Sequence, residues 1–280
     1  MPRLGTTDAN AELAVRMYGE LLDEHGWGLD RAWLAISSLL MTCDLWWDGD
    51  WHPFHDAPVL RESNVYGLTR TGDPNPALTD AFRVKERLAV GFAVADADVC
   101  ATLGRFFREP RLLGLQPNNP RGHAFRSLVA ETLARFGDPA LGVAEAISPH
   151  DVFAGFDRFA AGRGSRIDIV VRRGDHLVAL ITTHWTYRHT RVGILRDAEA
   201  YMPAVRVLNA DCRFYGVTAE FGTARLKKVI AETAPVMRNA VIDRLVHLNP
   251  ELPGDLIGKN GELREMWSLA QMVEDSYNWH

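Results

Sequence analysis

The chain is poor in cysteine and lysine and has no long apolar run, and each scarcity closes off a class of protein. Cys43, Cys100 and Cys212 are far apart and form no Cys-x-x-Cys pair. A zinc ribbon or a disulfide framework is therefore not expected, and a reducing cytoplasm is. The longest apolar segment, Ala32 to Met41, is interrupted by Ser37-Ser38 and is too short to span a bilayer. The polar start, Met1 to Asn10, lacks the apolar centre of a signal peptide. No membrane partner is expected. Lysine occurs only at Lys85, Lys227, Lys228 and Lys259, and the net charge is −5. There is no global basic signature for nucleic acid, so any DNA contact has to come from local clusters of arginine.

What is present is ordinary for a globular protein. The chain has 280 residues, 47% hydrophobic and 24% charged, enough to bury a core. Apolar residues recur at helical spacing over Ala11 to Leu22 and Leu29 to Met41. The segment 44–56 follows with three Trp and two His. His52, His55 and Asp56 are metal-ligand types there, but Gly49 and Pro53 break regular ligand geometry and favour a packed aromatic loop. Residues 57–78 read as connection, and Thr79-Asp80 opens a helix through Val90. Pro117-Asn118-Asn119-Pro120 marks the softest boundary, which divides a mainly helical N-terminal region (1–120) from a core with C-terminal helices (121–280). Arg121 to Phe136 is a strong helix, stopped by Gly137. Ser148-Pro149-His150-Asp151 has the residues of a catalytic triad but reads as a helix start, with Ser148 as N-cap and Pro149 at the first position. A helix from Arg191 is expected to stop at Pro203, Phe214 to Thr218 is a buried strand, and Arg225 to Leu248 is expected to be helical with a break at Pro235. Helices flanking a few strands predict an α/β fold with a small central mixed sheet.

The most informative stretch runs from Ser165 to Arg191. Arg166-Ile167-Asp168-Ile169-Val170-Val171, a turn at Gly174-Asp175, and Ile181-Thr182-Thr183-His184 read as a β-hairpin with an acid at the start of one strand and polar residues at the end of the next. Side chains 182 and 184 share a face. A three-residue loop over 173–175 puts Asp168 on that face, whereas a two-residue loop puts it on the other. Convergence therefore requires an odd loop or a bulge.

Such a site has an evident chemistry. Phosphodiester hydrolysis at neutral pH uses a divalent ion to polarise the phosphoryl oxygen and to generate hydroxide. Mg²⁺ takes hard oxygen ligands, usually one or two carboxylates with waters and phosphate oxygens. Asp168 is the first candidate ligand, and Glu199 in the following helix the second.

Arg166-Ile167-Asp168, then Thr182-Thr183-His184-Trp185-Thr186-Tyr187-Arg188-His189-Thr190-Arg191, then Glu199, resembles the PD-(D/E)XK nucleases. More narrowly, it is similar to type II restriction endonucleases that read sites with a CCGG core, the BsaWI-like and NgoMIV-like group. The likeness covers about residues 121–225, including Gly122-His123-Ala124-Phe125 and Val217-Thr218-Ala219-Glu220-Phe221. It implies a restriction-endonuclease-like fold and a homodimer that cuts both strands of a palindromic double-stranded DNA site with Mg²⁺, or with Mn²⁺. It makes Asp168 and Glu199 metal ligands, Thr182 the small hydroxyl residue, His184 the occupant of the catalytic lysine's position, and Arg188, Thr190 and Arg191 the DNA-reading residues. Arginine suits that task, since it can meet O6 and N7 of guanine bidentately. Three positions depart from the family. His184 replaces a permanently charged amine with a group half charged near pH 6.5. Thr190 replaces an Asp that accepts from cytosine N4. Arg126 replaces a helix Glu, leaving Glu131 or Glu86 as the additional acid. Together they imply altered specificity, a different metal preference, or a DNA-binding pseudo-nuclease that has lost cleavage.

Overall fold

A computed structural model describes residues 9–42, 46–47, 50–51, 118–153, 166–185, 193–220, 223–238, 242–250 and 266–280. Helices α1 (Ala9–His25) and α2 (Leu29–Thr42) match the two N-terminal periodic runs. Strands β1 (Trp46–Trp47) and β2 (Asp50–Trp51) pair antiparallel within the Trp-rich segment. His52, His55 and Asp56, the connection 57–78 and the expected helix from Thr79 lie outside the described residues.

Helix α3 (Asn118–Phe136) begins slightly before the expected Arg121, with Pro120 in its first turn, where a missing N–H costs nothing. It leads into β3 (Leu141–Ile147), a strand the sequence reading passed over. The helix start at Ser148-Pro149 is present as a single turn, α4 (Pro149–Val152), with Ser148 at the N-cap.

The hairpin is β4 (Ile167–Arg173) and β5 (His176–His184). Helix α5 (Gly193–Leu208) then runs through Pro203 and does not stop there. Proline removes one intrahelical donor, the partner of the Glu199 carbonyl. Both residues are solvent-exposed, so that carbonyl stays hydrated and the helix continues. Strand β6 (Arg213–Thr218) is as expected. Helix α6 (Thr223–Arg238) runs through Pro235 without the expected break and ends earlier than the expected Leu248, and Arg244–His247 is a strand, β7, beside β6. The chain closes with β8 (Trp267–Ser268) and α7 (Leu269–Asp275), whose Ser268 and Gln271 form a reciprocal capping box.

The six strands β3 to β8 lie side by side in chain order. The first two pairings are antiparallel and the last three parallel. This is the mixed, helix-flanked α/β sheet that the sequence predicts. One core lies between the sheet and α1, α2, α3 and α7, and includes Val143, Ile169, Ile181 and Val217 with Tyr18, Phe125 and Met272. The other lies under α5 and α6, and includes Val170, Leu180 and Phe214 with Ile194, Ala198 and Val229. Tyr18 of α1 bonds Thr132 of α3 at 2.8 Å inside the first core. The Thr132 hydroxyl proton goes to the Leu128 carbonyl at 2.7 Å, so Tyr18 is the donor.

The hairpin turn has two residues, Gly174 and Asp175, and Gly174 takes φ +60°, which suits glycine. Taken alone, this turn would place Asp168 on the wrong face. A β-bulge corrects it: Arg172 pairs with Leu177 but Val171 with Ala179, so Val178 is an extra residue in β5. Beyond the bulge Ile169 faces Ile181, and Asp168 comes opposite Thr182.

Candidate active site

The last β4–β5 ladder pair is Ile169 with Ile181. Past it β5 continues only beside β6, pairing Thr182 with Gly216, Thr183 with Val217 and His184 with Thr218. The strands fork there, and the Asp168 carboxylate fills the fork. Its Oδ2 accepts the Thr183 backbone N–H at 2.8 Å and lies 3.3 Å from both the Thr182 and Thr183 hydroxyls. The carboxylate thus takes the place of a ladder acceptor for a donor that would otherwise be lost.

The second acid at the site is Asp197 of α5. Its Oδ2 lies 2.9 Å from Thr182 Oγ1, so the threonine hydroxyl sits between two carboxylates. Burial pushes the Asp168 carboxyl above the ordinary range, and the neighbouring charge of Asp197 adds to this. The Thr183 N–H, His184 and Arg126 pull in the opposite direction. His184 shares the strand face of Thr182, and its Nε2 is buried.

Across β4, Glu145 of β3 is buried and accepts from Ser127 at 2.5 Å and from Arg126 Nε at 3.4 Å, both on α3. Arg126 is thus an ion-pair partner of a buried strand acid. Ala146, the next residue, takes φ +51° without being glycine, and by register it lies opposite Asp168. Backbone strain of this kind tends to gather at functional sites.

The expected residues therefore fare differently. Asp168, Thr182 and His184 gather at the end of β5. Glu199 does not join them: it is exposed on α5 and stands five residues after the buried Ile194, while Asp197 stands three after it and reaches the sheet. Glu131 lies on the α1 side of α3, where its charge acts on Tyr18. Glu86, Arg188, Thr190 and Arg191 lie outside the described residues. Asp197, Glu145 and Ser127 were missed. The phase of α5 held the signal for Asp197, since Ile194, Ala198, Tyr201 and Val205 mark the buried face and Asp197 borders it.

Asp168 and Asp197 offer hard oxygen ligands around one hydroxyl, a donor set that suits Mg²⁺. Among the described residues no group of three or more His, Cys, Asp or Glu side chains is placed to hold a metal ion. A two-carboxylate site completed by water and phosphate remains compatible with that. No helix among the described residues is long and apolar enough to cross a membrane.

No protein-family model matches the chain, and no curated protein matches it. Among solved structures it is similar to a restriction endonuclease, PspGI, in complex with substrate DNA. The two chains are 12% identical, and the likeness covers 98% of this chain and 96% of that one with a TM-score of 0.38.

Proposed function

We propose that the protein is a restriction-type DNA endonuclease of the PD-(D/E)XK kind. It would hydrolyse phosphodiesters with Mg²⁺, or with Mn²⁺, at a palindromic site with a CCGG-like core. The observation that carries this reading is the meeting of Asp168 and Asp197 on the Thr182 hydroxyl at the fork between β4 and β5. Two acids 29 positions apart in the chain converge at this fork and share one small polar residue.

In this reading Asp168 and Asp197 hold the ion, with Asp197 taking the role expected of Glu199. The bound ion would polarise the scissile phosphate and lower the pKa of a water. Thr182 fixes the separation of the two carboxylates. The Thr183 N–H orients Asp168. His184 supplies a cation when protonated, on the same strand face. Arg188, Thr190 and Arg191 follow β5 directly and would meet base edges in the major groove. A homodimer is part of the proposal, because cutting both strands of a palindrome takes two sites related by a twofold axis.

The alternative is a pseudo-nuclease that binds the same DNA without cutting it. His184 in the lysine position and the engagement of Arg126 by Glu145 favour it. Supercoiled-plasmid cleavage with Mg²⁺ and with Mn²⁺ separates the two. Linearised product that disappears in Asp168→Asn supports the enzyme. Salt-dependent binding of a CCGG duplex without cleavage supports the alternative. Neither binding nor cleavage would end both readings. Replacing His184 with Lys preserves or raises cutting if His184 acts as the cation, and a dead His184→Lys alongside an active parent refutes that role.

A further inference from the structure

A chain of hydrogen bonds crosses the C-terminal ends of the parallel strands β5, β6 and β7. The Asn249 N–H donates to His247 Nδ1 at 3.1 Å, and His247 Nε2 lies 3.1 Å from the Glu220 carbonyl. The Glu220 N–H donates to Thr218 Oγ1 at 3.0 Å, and Thr218 Oγ1 donates to the His184 carbonyl at 2.9 Å. Partners of fixed character settle the direction of each bond. The Asn249 amide can only donate, so Nδ1 carries no hydrogen. The Glu220 carbonyl can only accept, so Nε2 carries one. Thr218 receives a backbone N–H, and its single proton goes to a carbonyl. All four bonds therefore run the same way and end on His184.

The chain is dry as well as directional. Thr218, Glu220 and His247 are each 0% exposed. Without competing water, bonds in series polarise one another; here the two bonds through the His247 ring form one such pair and the two through Thr218 Oγ1 another, joined by the backbone of Glu220. The Ala219 N–H adds a second donor to the His184 carbonyl at 3.3 Å, and the Leu248 N–H bonds the Thr218 carbonyl at 3.1 Å. On its other side β5 has left the β4 ladder by this point. Both donors to the His184 carbonyl thus come from Thr218 and Ala219, at the end of β6.

We propose that Thr218 and, behind it, His247 are positioning residues that set the end of β5, and with it the imidazole of His184. Both act through the His184 carbonyl. The inference rests on the nuclease reading for its catalytic consequence but not for its structural content. A shift of about 1 Å at such a site costs on the order of 100-fold in rate.

The test uses the full chain. Thr218→Val keeps the shape and removes both hydroxyl bonds, whereas Thr218→Ser keeps them. Amide hydrogen exchange over residues 182–185 should rise on the order of tenfold in the Val variant, the equivalent of one to two lost hydrogen bonds, and stay parental in the Ser variant. Plasmid cleavage with Mg²⁺ should show kcat reduced by about 100-fold with KM unchanged in Val, and rescue in Ser. His247→Phe should raise the same exchange. If Thr218→Val does not fold, Thr218→Ala carries the same readouts. Parental exchange in Thr218→Val overturns the proposal whatever the activity. Raised exchange with unchanged kcat, or a change confined to KM, overturns the positioning role. If the parent cuts no DNA, the nuclease reading fails, and the exchange arm still decides whether the chain pins β5.

Discussion

Gly216 of β6 pairs with Thr182 and is buried beneath the first turn of α5. A Cβ at this position would lie 2.6 Å from Ile194 Cδ1, 2.8 Å from Cγ2 and 3.0 Å from Cγ1. Carbon atoms in good contact stand about 3.5–4.0 Å apart, so α5 has to retreat by about 1 Å to admit a methyl. The terminal methyl could swing away, but both γ carbons branch from one atom, and turning χ1 exchanges one clash for the other. Gly216→Ala should therefore cost about 1–3 kcal/mol in urea unfolding, the usual range for overpacking. The same displacement acts on Asp197, one turn along the helix. Its 2.9 Å contact with Thr182 would open past hydrogen-bonding range. If the protein is the proposed nuclease, kcat should fall on the order of 100-fold. Ile194→Ala removes the obstacle, so a double-mutant cycle should show Gly216→Ala costing about 1 kcal/mol less in that background. Strict additivity, or a Gly216→Ala protein within about 0.5 kcal/mol of the parent, would refute the close-approach explanation.

The other predictions are shorter. If Asp197 is the helix acid of the site, Asp197→Asn abolishes Mg²⁺-dependent plasmid cleavage while Glu199→Gln leaves it intact; the reverse pattern restores Glu199. Burial holds His247 down at about 4, below the ordinary 6.5. The unfolded chain therefore takes up that proton first, so the stabilisation is complete above pH 6.5 and is lost as pH falls towards 4. Its size is about 3 kcal/mol for a shift of this kind. Urea unfolding between pH 7.5 and 4 should show the decline in the parent and a shallower one in His247→Phe; equal slopes would count against it. The Tyr215 hydroxyl donates to Asp275 at 2.6 Å and accepts from Trp279 Nε1 at 3.1 Å. Tyr215→Phe keeps the stacking on Trp279 and should cost about 2 kcal/mol, as expected for a bond to a charged group. A loss below about 0.5 kcal/mol in denaturant titration would show that the network is not taut.

The elements legible in the sequence were those with a strong repeat. Helices α1, α2 and α3 carry apolar residues at helical spacing and bury that face. The β4–β5 hairpin was marked by its β-branched run and by Gly174-Asp175. Strand β3 escaped notice because Leu141–Ile147 mixes Gly and Ala into a short alternation. Strand β7 was read as helix because an apolar stretch follows α6 with no strong stop, and only pairing with β6 makes it extended. Asp168, Thr182 and His184 could be named in advance because they belong to one hairpin. Asp197 required the rotation of a helix, and Glu145 a strand the sequence did not announce. The arrangement of Asp168 opposite Thr182 depended on a bulge, which one chain alone does not disclose.

Val178, the extra residue in β5, makes the site a matter of parity. With a two-residue turn, one residue between Asp168 and Thr182 is surplus to a regular ladder and the bulge absorbs it, so deleting Val178 would still leave Asp168 opposite Thr182. Shortening by one should therefore leave the site standing on a straighter hairpin, whereas shortening by two would force a new irregularity or turn Asp168 to the opposite face.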